Sequence, residues 1–282
     1  MSTAAAPPEC QGPGCYIRLW LHAERDAATL DLLCALMQDA PMLMLQLYIL
    51  ATDEGTIEEA ARHGMTVLVL MQIASVSTSI LMMAWSVASW VRSSHLAYPS
   101  LGPLSLFAMA LLTISHFASI AGQVVSLSLF AAKFLEAAFT LVLFHWGIMS
   151  LWLLMKLMEQ PSTICTRAFQ PHDSHSGMFH WLDDIVYSIA MGLVFLFTYV
   201  DVSSTVTQAQ RLCYRFILIA EEATLLTIWF LQTDRSAWYH YFPLCLVPVL
   251  LIIYLVFDKL YCIYGPDTKC LALKQITEMN VL

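Results

Sequence analysis

Long apolar stretches separated by short polar ones run along almost the whole chain. A membrane-spanning helix needs about 20 consecutive, mostly apolar residues. The gaps between charged residues mark seven such segments, at about 30–51, 65–91, 101–122, 134–156, 184–202, 212–232 and 241–262. Pro99 and the pair Gly102-Pro103 break the start of the third segment, which therefore predicts a turn, one span and a short extension. The pattern predicts an all-α protein, a polytopic transmembrane helical bundle.

The composition agrees with lipid as the main solvent of this chain. Its residues are 59% hydrophobic and 12% charged, whereas a soluble globular protein carries roughly 25% charged residues. A formal net charge of −8, without any basic run longer than two residues, excludes nucleic acid as a partner. The sequence also lacks the GxSxG, HExxH, Walker A and glycine-rich dinucleotide motifs. We therefore expect neither an enzyme nor a bound cofactor or metal.

The distribution of lysine and arginine predicts the orientation of the chain, because both residues favour cytoplasmic loops. Basic residues flank both ends of the apolar region, while the loop at 52–64 has four acidic residues and one arginine. We expect a cytoplasmic tail at 1–26, a transmembrane domain at 27–262 with a cytoplasmic loop near 157–183, and a cytoplasmic tail at 263–282. Two cytoplasmic ends need an even number of crossings, so one segment should enter the membrane without crossing it. Pro41 in the first segment and the charges of the sixth make these two the candidates for a re-entrant half-helix.

Two adjacent acids, Glu221 and Glu222, lie midway along the sixth segment. A charged side chain at the centre of a membrane helix costs on the order of 2.5–3.5 kcal/mol, so it indicates a functional site. Steps of 3, 4 and 7 residues place Gln208, Arg211, Arg215 and Glu222 on one helical face. We expect this stripe to face the membrane. The alternative is structural, with Arg215 and Glu222 pairing to other helices and holding the bundle together.

The first segment repeats this pattern in a weaker form. Gln38-Asp39-Ala40-Pro41 precedes an apolar run, as Glu221-Glu222-Ala223-Thr224 does in the sixth segment. The two matches indicate an internal repeat with paired polar sites near the midplane, an arrangement found in many transport proteins. Matches this short also arise by chance, and Asp39 can equally line the entry of a half-helix.

The third segment and its extension carry a stripe of small residues. At steps of 4, 3 and 4 these are Ser115, Ser119, Gly122 and Ser126. Close helix packing through small residues is the favoured explanation, and a mildly polar groove for lipid is the alternative. Gln123, His116 and His145 add polar atoms within the membrane. A buried histidine is more often part of hydrogen-bonded packing than of a proton relay.

Five short patterns occur in an order and spacing that resemble the XK-related family of membrane proteins, over about residues 17–265. They are Ala40-Pro41 followed by Leu-x-Leu-Gln-Leu-Tyr, GQVVSLSLF at 122–130, HWGIMSLW at 145–152, YVDV at 199–202 and EEATLL at 221–226. The resemblance implies a polytopic plasma-membrane protein of two pseudo-repeated halves. It also implies phospholipid scrambling without ATP, as in several apoptosis-linked members that expose phosphatidylserine.

The resemblance implies that scrambling uses a series of charged residues at successive levels through the bundle. Glu221 and Glu222 match the acidic position in the second half of that series. We expect the lipid path to contain Glu221, Glu222, Asp39, Arg215, Gln38 and Gln123. Gln38 falls where the family usually has a glutamate and Gln123 where it usually has an arginine, so two steps are neutral here. The chain begins at the equivalent of the family's third hydrophobic segment, so we expect the family's first two helices to be absent.

Phospholipid scrambling, with membrane phospholipids as the partners, is therefore the leading hypothesis. The alternative is a non-transporting membrane scaffold that binds a single-span subunit or a lipid-transfer protein, a role that small-residue faces would serve equally well. A channel is the third hypothesis, but the sequence contains no filter motif or ring of acids. Activated family members carry a caspase site in a cytoplasmic tail, and the only short match here, Gly-Pro-Asp267-Thr, does not support one.

Overall fold

The computed structural model describes residues 13–52, 67–97, 104–159, 180–198, 208–233 and 241–265. These residues form seven α-helices and no strand: α1 Pro13–Thr52, α2 Val67–Ala97, α3 Leu106–Lys133, α4 Leu135–Glu159, α5 His180–Phe197, α6 Gln208–Gln232 and α7 Tyr241–Tyr264. Five of them, α1, α2, α3, α4 and α7, contain stretches long and apolar enough to cross a membrane. The predicted all-α membrane bundle is confirmed. Much of the predicted tails and most of the predicted loop near 157–183 lie outside the described residues.

Each predicted segment corresponds to one helix, but several boundaries differ, most of all the start of α1 and the end of α3. α1 begins at Pro13, well before the expected start of the membrane domain at residue 27. α3 runs unbroken to Lys133, so the predicted span and its extension are one helix. No charged residue interrupts this stretch before its end. At its start the Ser105 hydroxyl accepts a hydrogen bond from the Ala108 N–H at 3.1 Å, which is the usual role of a serine N-cap.

α3 is the centre of the bundle, because it contacts each of the other six helices. Its most apolar stretch is 78% buried, against 17–28% in the other four candidate spans. Many of its side chains are small, so neighbouring helices can approach its backbone closely, as is common between helices in a membrane. The buried small residues on its central turns are Ala118, Ser119, Ala121, Gly122 and Ser126.

α3 and α4 form a tight helical hairpin around Phe134. Gly122 and His145 lie about equally far from Phe134 along the two helices, and they reach the adjacent residues Glu222 and Glu221 of α6. A continuous helix would separate them by roughly 35 Å at 1.5 Å per residue. α4 therefore folds back antiparallel to α3, and the middle of both helices meets the middle of α6.

The N-terminal half of the bundle is also antiparallel. The Trp90 indole of α2 donates to the Thr29 hydroxyl of α1 at 2.9 Å, and Gln72 donates to the Gln46 carbonyl at 3.3 Å. From the first pair to the second, the residue numbers rise along α1 and fall along α2, so the two helices are antiparallel. They hold α1 and α2 together at both ends of their contact.

α4 and α5 run in the same direction. The Trp146 indole donates to the Ile189 carbonyl at 2.9 Å, and further along both helices the rings of Trp152 and Phe195 pack edge to face, 6.0 Å apart. α4 therefore ends, and α5 begins, at opposite ends of the bundle. Thr198, directly after α5, is buried and lies 2.7 Å from His116 Nδ1 of α3. α5 thus ends inside the bundle.

Neither candidate for the re-entrant half-helix, the first or the sixth segment, is interrupted in the structure. A segment that enters the membrane without crossing it stays a prediction. α1 continues as a helix through Pro41, and its candidate span is 34 residues long. α6 is also unbroken, although its charges keep it out of the five candidate spans. The short element is α5, whose apolar part covers only Ile185–Phe197. Proline ends a helix only where its neighbours cannot compensate for the missing N–H, and that local rule did not decide the outcome at Pro41. The predicted internal repeat stays a prediction.

Candidate functional site

The two acids of α6 are turned into the bundle and not toward lipid. Glu222 is 6% exposed and lies against Gly122 of α3. A Cβ placed on Gly122 would lie 3.0 Å from the Glu222 Oε1 atom, so any side chain there would crowd the carboxylate. The small-residue stripe of α3 therefore provides the space in which this glutamate is buried.

A small cavity adjoins the Glu222 carboxylate, between α3, α6 and α7. It measures about 10 Å³, and its polar lining residues are Glu222, Ser119 and Tyr254. A volume of this size in a polar setting accommodates about one water molecule. Glu222 thus has access to a hydration site without being exposed to lipid.

Glu221 points to a different neighbour. Its Oε2 atom lies 2.8 Å from His145 Nδ1 of α4, and both side chains are largely buried. Adjacent residues on a helix point about 100° apart, so Glu221 reaches α4 while Glu222 reaches α3. Together they tie α6 to α4 and to the centre of the bundle.

A second charged contact lies two helical turns before Glu222. Arg215 Nη2 donates to Asp258 Oδ1 of α7 at 2.6 Å, and the two side chains are 16% and 15% exposed. Tyr254, one turn before Asp258, lies beside the same guanidinium. Its backbone carbonyl accepts a hydrogen bond from Ser115 of α3 at 3.4 Å. The Arg215–Asp258 ion pair therefore sits in a polar seam shared by α3, α6 and α7.

Gln123 follows Gly122 on α3 and is as completely buried as any polar residue that the structure describes. It is 0% exposed, and among the described residues neither its amide nitrogen nor its amide oxygen has a hydrogen-bond partner. The Ser126 hydroxyl, one turn later on α3, is likewise buried without a partner in the described part of the chain. Leaving a buried polar group unpaired costs about 1–3 kcal/mol, so such a group calls for a water, a ligand or a functional reason.

The structure largely buries four of the six residues expected in the lipid path. Arg215, Glu221 and Glu222 line the inner side of α6, and Gln123 lies beside Gly122 on α3. Gln38 and Asp39 are on α1, which packs mainly on α2, α3 and α5. Gln38 is exposed and Asp39 is half-buried.

The expectation that the α6 stripe faces the membrane is wrong. The small residues of α3 offer a close polar surface at the same level, and burying charge among polar partners costs less than exposing it to hydrocarbon. The structural alternative is right in that Arg215 pairs with another helix, and its partner is on α7. Of Arg211 only the backbone is described.

Two participants were missed at the level of sequence. Asp258 was visible as an acid near the end of the seventh segment, and Tyr254 lies one turn before it. That spacing puts both on one helical face and could have marked α7 as the partner of Arg215. His145 was noted as packing, and its carboxylate partner could not be found because it is 76 residues away in the chain.

The chain matches one known family over most of its length. The family model described as XK-related protein covers residues 9–265 of the 282. The match includes every described helix of the bundle and all the polar residues of the site.

Proposed function

The chain belongs to the XK-related family, and from this premise we propose that it moves phospholipids between the two leaflets of a bilayer without ATP. The lipid is transferred unchanged, so the proposal involves no bond-making chemistry, no enzyme activity and no cofactor. The family resemblance further supports a place in the plasma membrane and exposure of phosphatidylserine as the outcome.

A lipid head group has to cross about 30 Å of hydrocarbon, where each unsatisfied polar group costs several kcal/mol. Polar side chains that replace head-group water lower this barrier. α6 offers such groups at two levels: Arg215 with Asp258, and Glu221 and Glu222 about 10 Å further along, at 1.5 Å per residue. A lipid head group carries a phosphate and a hydrogen-bond donor or acceptor. It can therefore replace its bound water with contacts to the side chains at either level.

The observation that carries the proposal is the burial of Glu222 against Gly122, the residue that precedes Gln123, whose buried amide has no partner among the described residues. A protein that needed only a stable bundle would gain by filling these positions with apolar residues. Asp39 and Gln38 are proposed as the second polar site, on α1, by the family resemblance. In the described conformation the groups on α6 face inward, so a head group reaches them only when neighbouring helices separate.

Dithionite bleaching of fluorescent phospholipid in liposomes tests the proposal. Dithionite reaches only the outer leaflet, so the purified chain should allow bleaching beyond about half the signal in vesicles that do not leak. Glu222→Gln should lower the rate at least several-fold. The matched control is Glu136→Gln, which neutralises an exposed acid at the start of α4 and should leave the rate unchanged.

A plateau near half the signal for the parental chain would contradict the proposal. Recovery of a stoichiometric single-span subunit or lipid-transfer protein from membranes, without lipid flux, would favour the scaffold instead. Equal rates for Glu222→Gln and Glu136→Gln would leave scrambling in place and remove Glu222 from the path.

A further inference from the structure

α4 and α6 both pack on α3. Their backbones approach each other closely at few points, in contrast to the extensive contacts of α3 with α7 and with α6. At mid-depth the two helices are joined by the His145–Glu221 contact of 2.8 Å. Within the described residues, this α4–α6 seam is therefore held at its centre by one polar pair.

Apolar packing closes the seam on both sides of that pair. Towards the hairpin turn, Ala138 of α4 and Leu225 of α6 belong to one apolar cluster. Towards the other end, Phe195 of α5 packs edge to face against both Trp152 of α4 and Tyr214 of α6, with centroid distances of 6.0 and 5.9 Å. The His145–Glu221 pair fills the interval between these two contacts.

Helical periodicity places Gln123 on the face of α3 that is turned toward this interval. Phe130 and Ala138 share the cluster next to the hairpin turn. Seven residues are about two helical turns, so Gln123 and His145 continue the same faces of the antiparallel helices α3 and α4, two turns further from the turn. The His145 Nε2 atom, like the Gln123 amide, is buried and has no partner among the residues that the structure describes.

We propose that the α4–α6 seam is the line along which the polar interior opens to lipid, and that His145 is the positioning residue that keeps it closed by holding Glu221. The inference rests on the proposed function and names where the path meets the bilayer. Opening here breaks one polar pair and the short apolar contacts on its two sides. Parting α6 from α7 would break the Arg215–Asp258 ion pair and separate the apolar cluster of Leu226, Trp229 and Val247.

Accessibility of residue 123 tests the seam without relying on lipid transport. The Gln123→Cys chain in liposomes is treated with a water-soluble maleimide, and the modified peptide is quantified by mass spectrometry. Modification should be slow in this chain and at least threefold faster when His145→Ala is added. The matched control is Thr198→Val, which removes a buried contact of similar length between α3 and the end of α5 and should not change the rate.

Two further variants distinguish the loss of the His145–Glu221 contact from a general loosening of the helix bundle. Glu221→Met should accelerate modification as much as His145→Ala does, and the two together should act no more strongly than either alone, because both remove one contact. His145→Asn keeps a donor near the Nδ1 position and should restore the slow rate. In the lipid assay His145→Ala should raise the initial rate about two- to fivefold.

Equal modification rates with and without His145→Ala would overturn the proposal, as would an equal acceleration by Thr198→Val. If His145→Ala fails to fold, Glu221→Met tests the same contact from the other side. If Glu222→Gln abolishes scrambling and His145→Ala leaves it unchanged, the positioning role of His145 is rejected and the proposed function is kept. Faster modification without any lipid flux would keep the seam as an opening and reject scrambling.

Discussion

The Arg215–Asp258 ion pair offers the sharpest test of how this bundle is held together. Its two atoms are 2.6 Å apart, and both side chains are about 85% buried. Replacing Asp258 by leucine removes the carboxylate and leaves the guanidinium between α6 and α7 without its counter-charge. Replacing both residues by leucine removes the charge as well as the partner.

The magnitude follows from the burial of the pair. Breaking a fully buried ion pair by deleting one partner costs about 3–5 kcal/mol, whereas replacing both partners by apolar residues is often neutral or stabilising. Both groups retain some exposure, and polar groups of a membrane protein find other partners when it unfolds. We therefore expect Asp258→Leu to lower the free energy of unfolding by about 2–3 kcal/mol. Asp258→Leu combined with Arg215→Leu should return to within about 1 kcal/mol of the parental chain.

Unfolding in mixed micelles by increasing denaturing detergent, followed by tryptophan fluorescence, measures this difference. The control is Lys259→Gln, which removes an exposed charge next to Asp258 in the chain and should change the free energy by no more than about 0.5 kcal/mol. Equal stabilities of Asp258→Leu and this control would refute the role of the ion pair. A double variant that is no more stable than Asp258→Leu would refute it too, because the cost would then lie in packing and not in the unpaired charge.

Three other substitutions probe the close approaches around α3 and α4. Gly122→Val should disturb the adjacent glutamate of α6 and reduce lipid transfer at least several-fold, whereas Gly147→Val, at a glycine whose added Cβ would meet none of the described atoms within 4 Å, should not; equal rates would contradict the site. Gly192→Ala puts a Cβ against the Ser150 hydroxyl and 3.1 Å from the Ser150 backbone nitrogen, so it should lower the free energy of unfolding by about 1–3 kcal/mol in the same assay. Adding Ser150→Gly should recover most of this loss. The absence of any recovery would show that α4 and α5 are not adjacent at this point. Trp90→Phe should lose about 1 kcal/mol with its hydrogen bond to α1, and an unchanged stability would show that this bond is not formed in the bilayer.

The helices were predictable because their signal is local. A run of about 20 apolar residues is stable in lipid only as a helix, since every backbone group must find a partner within the segment. α4 and α7 follow this rule most closely, because their observed bounds lie within three residues of the predicted ones. The rule is less decisive at Pro41 and along α3, where a local breaker or a run of small residues leaves the outcome to neighbouring helices.

The candidate site was predictable only in part, for the same reason. Glu221, Glu222 and Arg215 stand out in the sequence because charge is costly in a membrane helix. Their direction depends on what surrounds α6. Only the fold shows that Gly122 leaves room for Glu222, that Asp258 neutralises Arg215, and that the Gln123 amide finds no partner among the described residues.

By itself, the sequence determined that the chain is an all-helical membrane protein, where its apolar helices lie, and which family it resembles. Those properties depend on the solvent and on short stretches of residues. The tertiary structure alone decided that α3 is the centre, that α4 and α5 run parallel, and that His145 meets Glu221 across 76 residues. Such contacts depend on which helix faces lie together, and helix packing in lipid is decided by shape and polar pairing across the bundle rather than by hydrophobicity.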